Sequence, residues 1–301
     1  MAYALLFSGQ GTQHPAMLPW LAEDALVRDT CARLGVADWR HALEDPAWAA
    51  HNAHAQTLLT GLALAAWEQL AANLPPPAAV AGYSVGELAA FGAAGVFDAT
   101  TALALAGERA AAMDRCAAGV AGGMLAVSGL AEPELERLLA RSGLALAIRN
   151  GIESVVLGGP VEALDDAEHA AVRGGAHCTR LRVNVASHTP WMREAAESFA
   201  LTLESVPGHR PRCPLYSNAA DRIRDVAEAR AALAAQLACT VRWDECMENL
   251  HARQLHCVLE VGPGQALARL WNQRYPDVPA RACDDFRSVA AISAWVGAQT
   301  S

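Results

Sequence analysis

The sequence has no lysine; all 23 of its basic side chains are arginine. Such a chain can form no lysine Schiff base, has no lysine to act as a general base and cannot build a Walker A phosphate loop. The absence, like the abundance of alanine, fits a GC-rich coding sequence. Charge is scarce as well: charged residues make up 18% of the chain, and 32 acids against 23 bases leave a formal net charge of −9. A nucleic-acid binder would need a basic face, so that class is disfavoured. The eight cysteines (31, 116, 178, 213, 239, 246, 257, 283) include no C-x-x-C pair. This argues against a disulfide framework or a zinc site, and the thiols read as buried or idle in a reducing, cytoplasmic setting. No H-E-x-x-H or EF-hand spacing occurs, so no metal is expected. The densest apolar run, residues 58–67, is too short to span a membrane and is broken by Gly61. The N-terminus lacks a charged region ahead of its short apolar run, so no signal peptide is expected.

What is present is core-forming material. Of 301 residues, 53% are hydrophobic, enough for one large α/β domain with an insertion. Tyr3–Phe7 reads as a buried strand running into the glycine turn Ser8-Gly9-Gln10-Gly11. A helix-rich stretch to about residue 73 ends at Leu74-Pro75-Pro76-Pro77. Residues 78–81 form a second strand, followed by Gly82-Tyr83-Ser84-Val85-Gly86, and the pattern turns helical from Val85. Asp98 has the placement of an N-cap for a helix through about Arg115. From Gly122 the texture changes to strand 124–127, helix 132–141, strands 144–148 and 154–157, helix 161–174 and strand 178–183. That βαββαβ order is ferredoxin-like. A late strand, Cys257–Val261, leads into Gly262-Pro263-Gly264. The expected architecture is a mainly parallel α/β body, residues 1–121 and 186–301, interrupted by a small subdomain, residues 122–185.

The pentapeptide Gly82–Gly86 matches G-x-S-x-G between a strand and a helix, the context that exposes a nucleophilic serine and offers helix N-terminal amides to an oxyanion. Ser84 needs a base. Among the ten histidines, His188 is the best placed, where the chain re-enters the body after the insert; on position alone a structural histidine remains an alternative. The acids between Ser84 and His188 are poor triad members: Asp98 caps a helix, Asp114 lies late in that helix, and Asp165 and Asp166 sit in the insert. A Ser–His dyad oriented by a backbone carbonyl is more economical. Arg109 lies among small apolar residues. It either forms a salt bridge, with Glu108 or Glu87, or reaches into a cleft, and the local sequence favours the salt bridge. The pair Gly9-x-Gly11 is no dinucleotide fingerprint, because His14 stands where the third glycine belongs.

With these residues in hand, the chain resembles the malonyl-CoA:acyl-carrier-protein transacylase family. The likeness is carried by Phe7-Ser8-Gly9-Gln10-Gly11-Thr12-Gln13, Gln56-Thr57-Leu58-Leu59-Thr60, Gly82–Glu87, Glu108-Arg109, Asn150, Ser187-His188 and Glu260–Gly264. The resemblance implies an α/β-hydrolase-like body with a ferredoxin-like insert. It makes Ser84 the acyl carrier, His188 the base and Arg109 the ligand of the malonyl carboxylate. Backbone N–H groups of Gln10 and Val85 would form the oxyanion hole, and Gln56 and Asn150 would line the cleft or its edge. A main-chain carbonyl in the stretch before Val258 would accept from the second ring nitrogen of His188. Malonyl-CoA is then a substrate rather than a cofactor, no cofactor is needed, and the partner is an acyl carrier protein with a CoA-derived thiol arm. Two departures from the fatty-acid-synthesis members are Tyr83 and Val85 in the elbow and Ser8 in place of proline; of these the elbow, together with the tail Asp284-Asp285-Phe286-Arg287-Ser288, looks like the epsilon subunit of malonate decarboxylase. That resemblance points to the decarboxylase's carrier and its other subunits as partners. The alternatives are a transacylase of fatty-acid or polyketide synthesis, a serine thioesterase or hydrolase, and a non-catalytic assembly subunit.

Overall fold

A computed structural model describes residues 2–119, 121–181 and 183–300. Eleven strands form two sheets: β1 (Tyr3–Phe7), β2 (Ala79–Gly82), β3 (Gly122–Ser128), β4 (Ala145–Gly151), β5 (Ser154–Pro160), β6 (His177–Arg180), β7 (Leu215–Tyr216), β8 (Arg222–Ile223), β9 (Val241–Arg242), β10 (Cys257–Val261) and β11 (Ala280–Ala282). The larger sheet has the order β11-β10-β1-β2-β7-β8 and is parallel except for the β7–β8 pair. Its central strands are buried along their whole length. That is why they read as unbroken apolar runs rather than alternating ones: helices cover both faces of a parallel sheet.

Register places the site. Phe7 lies opposite both Val261 and Gly82, so three strands end side by side. The glycine turn after β1, the elbow after β2 and Gly262-Pro263-Gly264 after β10 therefore gather at the carboxyl edge of the sheet, where open α/β sheets bind ligands. The elbow tolerates no larger residue at its ends. A Cβ on Gly82 would lie 2.2 Å from the Gly86 carbonyl group, and one on Gly86 would lie 2.3 Å from the Phe7 carbonyl oxygen. Asp98 caps the helix Ala99–Ala117 by accepting from the Thr101 amide, as the sequence indicates.

The insert runs β3, helix Glu132–Ser142, β4, β5, helix Val161–Arg173, β6. Its strands take the order β6-β3-β5-β4 with antiparallel neighbours throughout. Leu125, Val127, Leu135, Leu138, Leu157 and Leu164 belong to a second hydrophobic core beneath the two helices. The insert strands β3, β4 and β5 run longer than the expected 124–127, 144–148 and 154–157, and three further details differ from the sequence reading. The second body strand begins at Ala79 and includes Gly82. The last insert strand is His177–Arg180 rather than 178–183; the expected extension crosses Arg182, which lies outside the described residues. The third difference is β9, from the C-terminal part of the body, which pairs in parallel with β4 through Ile148↔Val241 and Arg149↔Arg242. The insert sheet is thus completed by the body. Among the described residues, no helix is long and apolar enough to cross a membrane.

Candidate active site

Ser84 occupies left-handed backbone, φ 55°, a conformation that costs a non-glycine residue about 1–2 kcal/mol. Two amide side chains hold it there. The Ser84 N–H donates to Asn218 Oδ1 at 2.8 Å, and Asn218 Nδ2 donates to the Gly82 carbonyl at 2.7 Å. The Ser84 carbonyl accepts from Gln236 Nε2 at 3.2 Å. The Asn218 N–H in turn donates to Glu87 Oε1, so the first turn of the elbow helix Gly86–Ala93 is tied to the same asparagine.

His188 Nε2 lies 2.7 Å from Ser84 Oγ, and His188 Nδ1 lies 2.6 Å from the Gln236 carbonyl oxygen. A carbonyl can only accept, so the ring proton sits on Nδ1 and Nε2 is left to accept from the serine hydroxyl. The carbonyl expected before Val258 is therefore that of Gln236. His188 is buried. Burial and the neighbouring Arg109 cation push its pKa down to about 3, against the Gln236 carbonyl, which favours the protonated ring. The imidazole is neutral, and so competent as a base, at neutral pH.

Arg109 corrects the local reading. It forms no ion pair within 4 Å among the described residues; Glu108 is exposed on another face of the helix. The guanidinium is 1% exposed. Nη1 donates to Gln56 Oε1 at 2.6 Å and to Met113 Sδ at 3.3 Å, and Nη2 donates to Gln236 Oε1 at 3.1 Å. Burial pulls its pKa down to about 10, with Glu87 opposing, so it stays cationic at neutral pH. Glu87 is itself buried, and burial pushes its carboxyl up to about 7 against the Asn218 N–H and the Arg109 charge. A cation surrounded by neutral amides rather than bound to a carboxylate remains available to an anionic ligand.

Ser84, His188, Arg109 and Gln10 line one cavity, whose remaining wall includes Met113 from the body and Met124, Ile148, Leu181 and Val183 from the insert. The lining is mostly apolar, which limits water and strengthens charge interactions inside. Val85 is the N-cap of the elbow helix, where amides lack intrahelical partners. Gln56 is fully buried behind Arg109 and contacts the guanidinium rather than the cavity. Asn150 lies off the cavity, in a neighbouring hollow of about 830 Å³, and accepts from the Tyr83 hydroxyl at 3.1 Å. The Ser8 hydroxyl donates to Glu260 Oε1 at 2.8 Å, and Glu260 also accepts from the Ala268 amide. Asp284 accepts from the Leu18 and Gly264 amides and pairs with His14 at 2.9 Å. Among the described residues, no three His, Cys, Asp or Glu side chains gather as a metal-binding group. Sequence reasoning missed Asn218 and Gln236. The signal for the first was a polar Ser217-Asn218 pair directly after a buried strand at the sheet's carboxyl edge.

The acyl transferase domain family matches residues 4–291 of this chain. The malonyl CoA-acyl carrier protein transacylase of Mycobacterium bovis is 35% identical over 295 residues, covering 93% of this chain and 95% of that protein. The protein of the same name from Escherichia coli K12 is 29% identical over 307 residues, covering 96% and 98%. Among solved structures, FabD from Acinetobacter baumannii superposes with a TM-score of 0.88 at 30% identity, covering 98% of each chain. A malonyl-transacylase solved in complex with a type II polyketide acyl-carrier protein gives 0.85 at 28% identity, covering 97% of this chain and 98% of that one. With its strand–serine–helix elbow and buried Ser–His pair, this chain belongs to the acyl transferase domain family, together with the malonyl-CoA–acyl carrier protein transacylases.

Proposed function

We propose that this protein transfers malonyl from malonyl-CoA to the thiol of an acyl carrier protein by a ping-pong route. Ser84 Oγ attacks the thioester carbonyl while His188 Nε2 takes its proton. The Gln10 and Val85 amides receive the oxyanion. The intermediate collapses, the C–S bond breaks, and CoA leaves as a thiol carrying the proton from His188. The carrier thiol then gives its proton to His188 and attacks the malonyl–Ser84 ester, and Ser84 recovers a proton as the new thioester departs. Arg109 grips the free malonyl carboxylate in both halves. The chemistry draws on these side chains and backbone amides and calls for no cofactor. The observation that carries the reading is a Ser–His pair at 2.7 Å sharing one mostly apolar cavity with an arginine that has no carboxylate partner among the described residues.

The likeness to malonyl CoA-acyl carrier protein transacylases, and to a malonyl-transacylase bound to a type II polyketide carrier, supports a carrier of fatty-acid or polyketide synthesis over the malonate decarboxylase carrier. The residues that suggested the decarboxylase subunit have structural work here: Tyr83 anchors the elbow to Asn150, and Asp284 ties the loop after β1 to the loop after β10. The same reading takes residues 1–121 and 186–301 as a hydrolase-like body and 122–185 as a ferredoxin-like insert. The antiparallel order β6-β3-β5-β4 supports it, and β9 blurs the boundary.

The test is incubation with labelled malonyl-CoA, intact-mass measurement, and then addition of each carrier type in its thiol form. A lasting adduct on Ser84 that discharges to a fatty-acid or polyketide carrier supports the proposal. Rapid hydrolysis would make the protein a thioesterase, no adduct would make it a non-catalytic subunit, and discharge only to the decarboxylase carrier would restore that pathway.

A further inference from the structure

Asn52, at the start of the helix Asn52–Ala71, and Asp114, late in the helix Ala99–Ala117, lie outside the cavity. They nevertheless begin an unbroken polar chain that ends on the reacting groups. Asn52 Nδ2 donates to Asp114 Oδ1 at 2.8 Å, and Gln56 Nε2 donates to Asn52 Oδ1 at 2.8 Å. Gln56 Oε1 then accepts from Arg109 Nη1 at 2.6 Å. The far side of the guanidinium donates to Gln236, whose side chain holds the Ser84 carbonyl and whose own carbonyl holds His188.

The bonds between Asp114 and Arg109 are directed from both ends, because the guanidinium only donates and the carboxylate only accepts. A carboxylate only accepts, so Asp114 draws the amino group of Asn52 and turns the Asn52 oxygen toward Gln56. That oxygen draws the Gln56 amino group and turns the Gln56 oxygen toward Arg109. Met113 Sδ, 3.4 Å from Gln56 Nε2, is too weak an acceptor to impose this order. Without Asp114, only the guanidinium and the weak Met113 acceptor oppose a half-turn of the two amides. Gln56 would then present two N–H donors to a guanidinium that has only donors, in a buried site where such a mismatch is costly.

We propose that Asp114 and Asn52 are positioning residues, a polarity relay that keeps the Gln56 oxygen on Arg109 and so sets the preference for a carboxylated acyl group. The proposal rests on the malonyl-transfer reading above. A plain interhelix tie would make a different prediction: its loss would lower stability and slow every acyl donor alike.

The experiment measures Ser84 acylation, as kcat/KM, with malonyl-CoA and acetyl-CoA, alongside a melting curve for each protein. Asp114→Ala should lower the malonyl-to-acetyl ratio about five- to tenfold, the scale of one hydrogen bond misdirected in a buried site, with the acetyl rate nearly unchanged. Asp114→Asn can still offer an oxygen to Asn52 and should restore most of the ratio. Adding Asn52→Asp to Asp114→Ala should restore it too, because an acceptor-only side chain at position 52 orients Gln56 without help. This rescue tests polarity independently of any loss of folding stability. An unchanged ratio in Asp114→Ala, or a double variant no better than Asp114→Ala, overturns the relay. If the native enzyme has no malonyl preference, or Arg109→Ala leaves it intact, the malonyl reading itself fails and takes the relay with it.

Discussion

Ser84 and His188 both sit in left-handed backbone, at φ 55° and 63°, and face each other across a 2.7 Å hydrogen bond. Only Leu18 and Gln254 share that conformation among the other described non-glycine residues, so half of the positive-φ strain outside glycine lies on the reacting pair. Each is restrained from outside its own segment. Asn218 and Gln236 hold the backbone of Ser84, and the Leu237 carbonyl accepts from the His188 amide at 2.8 Å. Strain that persists because its surroundings over-determine it is a form of pre-organisation.

The strain at Ser84 can be measured. Ser84→Ala and Ser84→Gly both remove the nucleophile and should both lose the covalent malonyl adduct. Glycine adopts φ 55° freely, whereas alanine does not. Ser84→Gly should therefore be more stable than Ser84→Ala by about 1 kcal/mol, after allowing for the greater freedom of glycine in the unfolded chain. Denaturant unfolding of the two variants checks this, and equal stabilities would show that the elbow is not strained.

Arg109→Ala should lower kcat/KM for malonyl-CoA by about thirtyfold or more, since a charge-assisted bidentate contact is worth about 2–4 kcal/mol in such a site. Acetyl-CoA has no carboxylate to lose, so its slow transfer should hold or improve. Arg109→Lys should recover only part of the malonyl rate, because a point charge does not reproduce the planar fork. Parallel loss of both donors would assign Arg109 to stability alone.

The pH dependence of acylation should lack the fall expected of an ordinary imidazole near pH 6.5. With the His188 pKa pushed down to about 3 by burial and the Arg109 charge, the base form persists as the pH is lowered from 7 to 5. The acid limb of kcat/KM for malonyl-CoA should therefore lie below pH 5. In Arg109→Gln the cationic neighbour is gone, and the limb should move upward. A native acid limb at pH 6.5 would place another, more exposed histidine in the role of base.

Glu260 is buried beneath Ser8, and burial pushes its carboxyl up to about 7 against the donated Ala268, Leu267 and Ser8 bonds. The native state therefore holds this proton at pH values where the unfolded chain has released it, and stability falls as pH rises from about 5 through 7. Glu260→Gln does not titrate. The stability of this variant relative to the native protein should improve steadily across that interval, as followed by denaturant unfolding. A difference that does not vary with pH would mean that Glu260 is ionised throughout.

The framework of the site was legible because it is local. A strand, two glycines around a serine and a helix are contiguous in the chain, and β1 and β10 keep the bounds their apolar runs suggest. The environment of Arg109 was not. Its acidic neighbour in sequence, Glu108, is exposed, while its two amide acceptors lie 53 and 127 residues away. An alanine-rich helix gives no sign that the glutamine just past its end will be fully buried. The two-residue strand β9 is likewise too short to carry a period.

The pairing of β9 with β4 has a mechanical consequence. An insert joined to its host only where the chain enters and leaves can swing about those two points. This insert has a third tether, and β9 leads directly into the helix Trp243–His251, whose Trp243 packs edge-on against Tyr83 of the elbow. Rotation of the small sheet as a rigid flap would have to break that ladder or drag the elbow with it. The ladder therefore opposes a jaw-like movement of the insert, and the adaptable side chains on the cleft walls are Met113 and Met124.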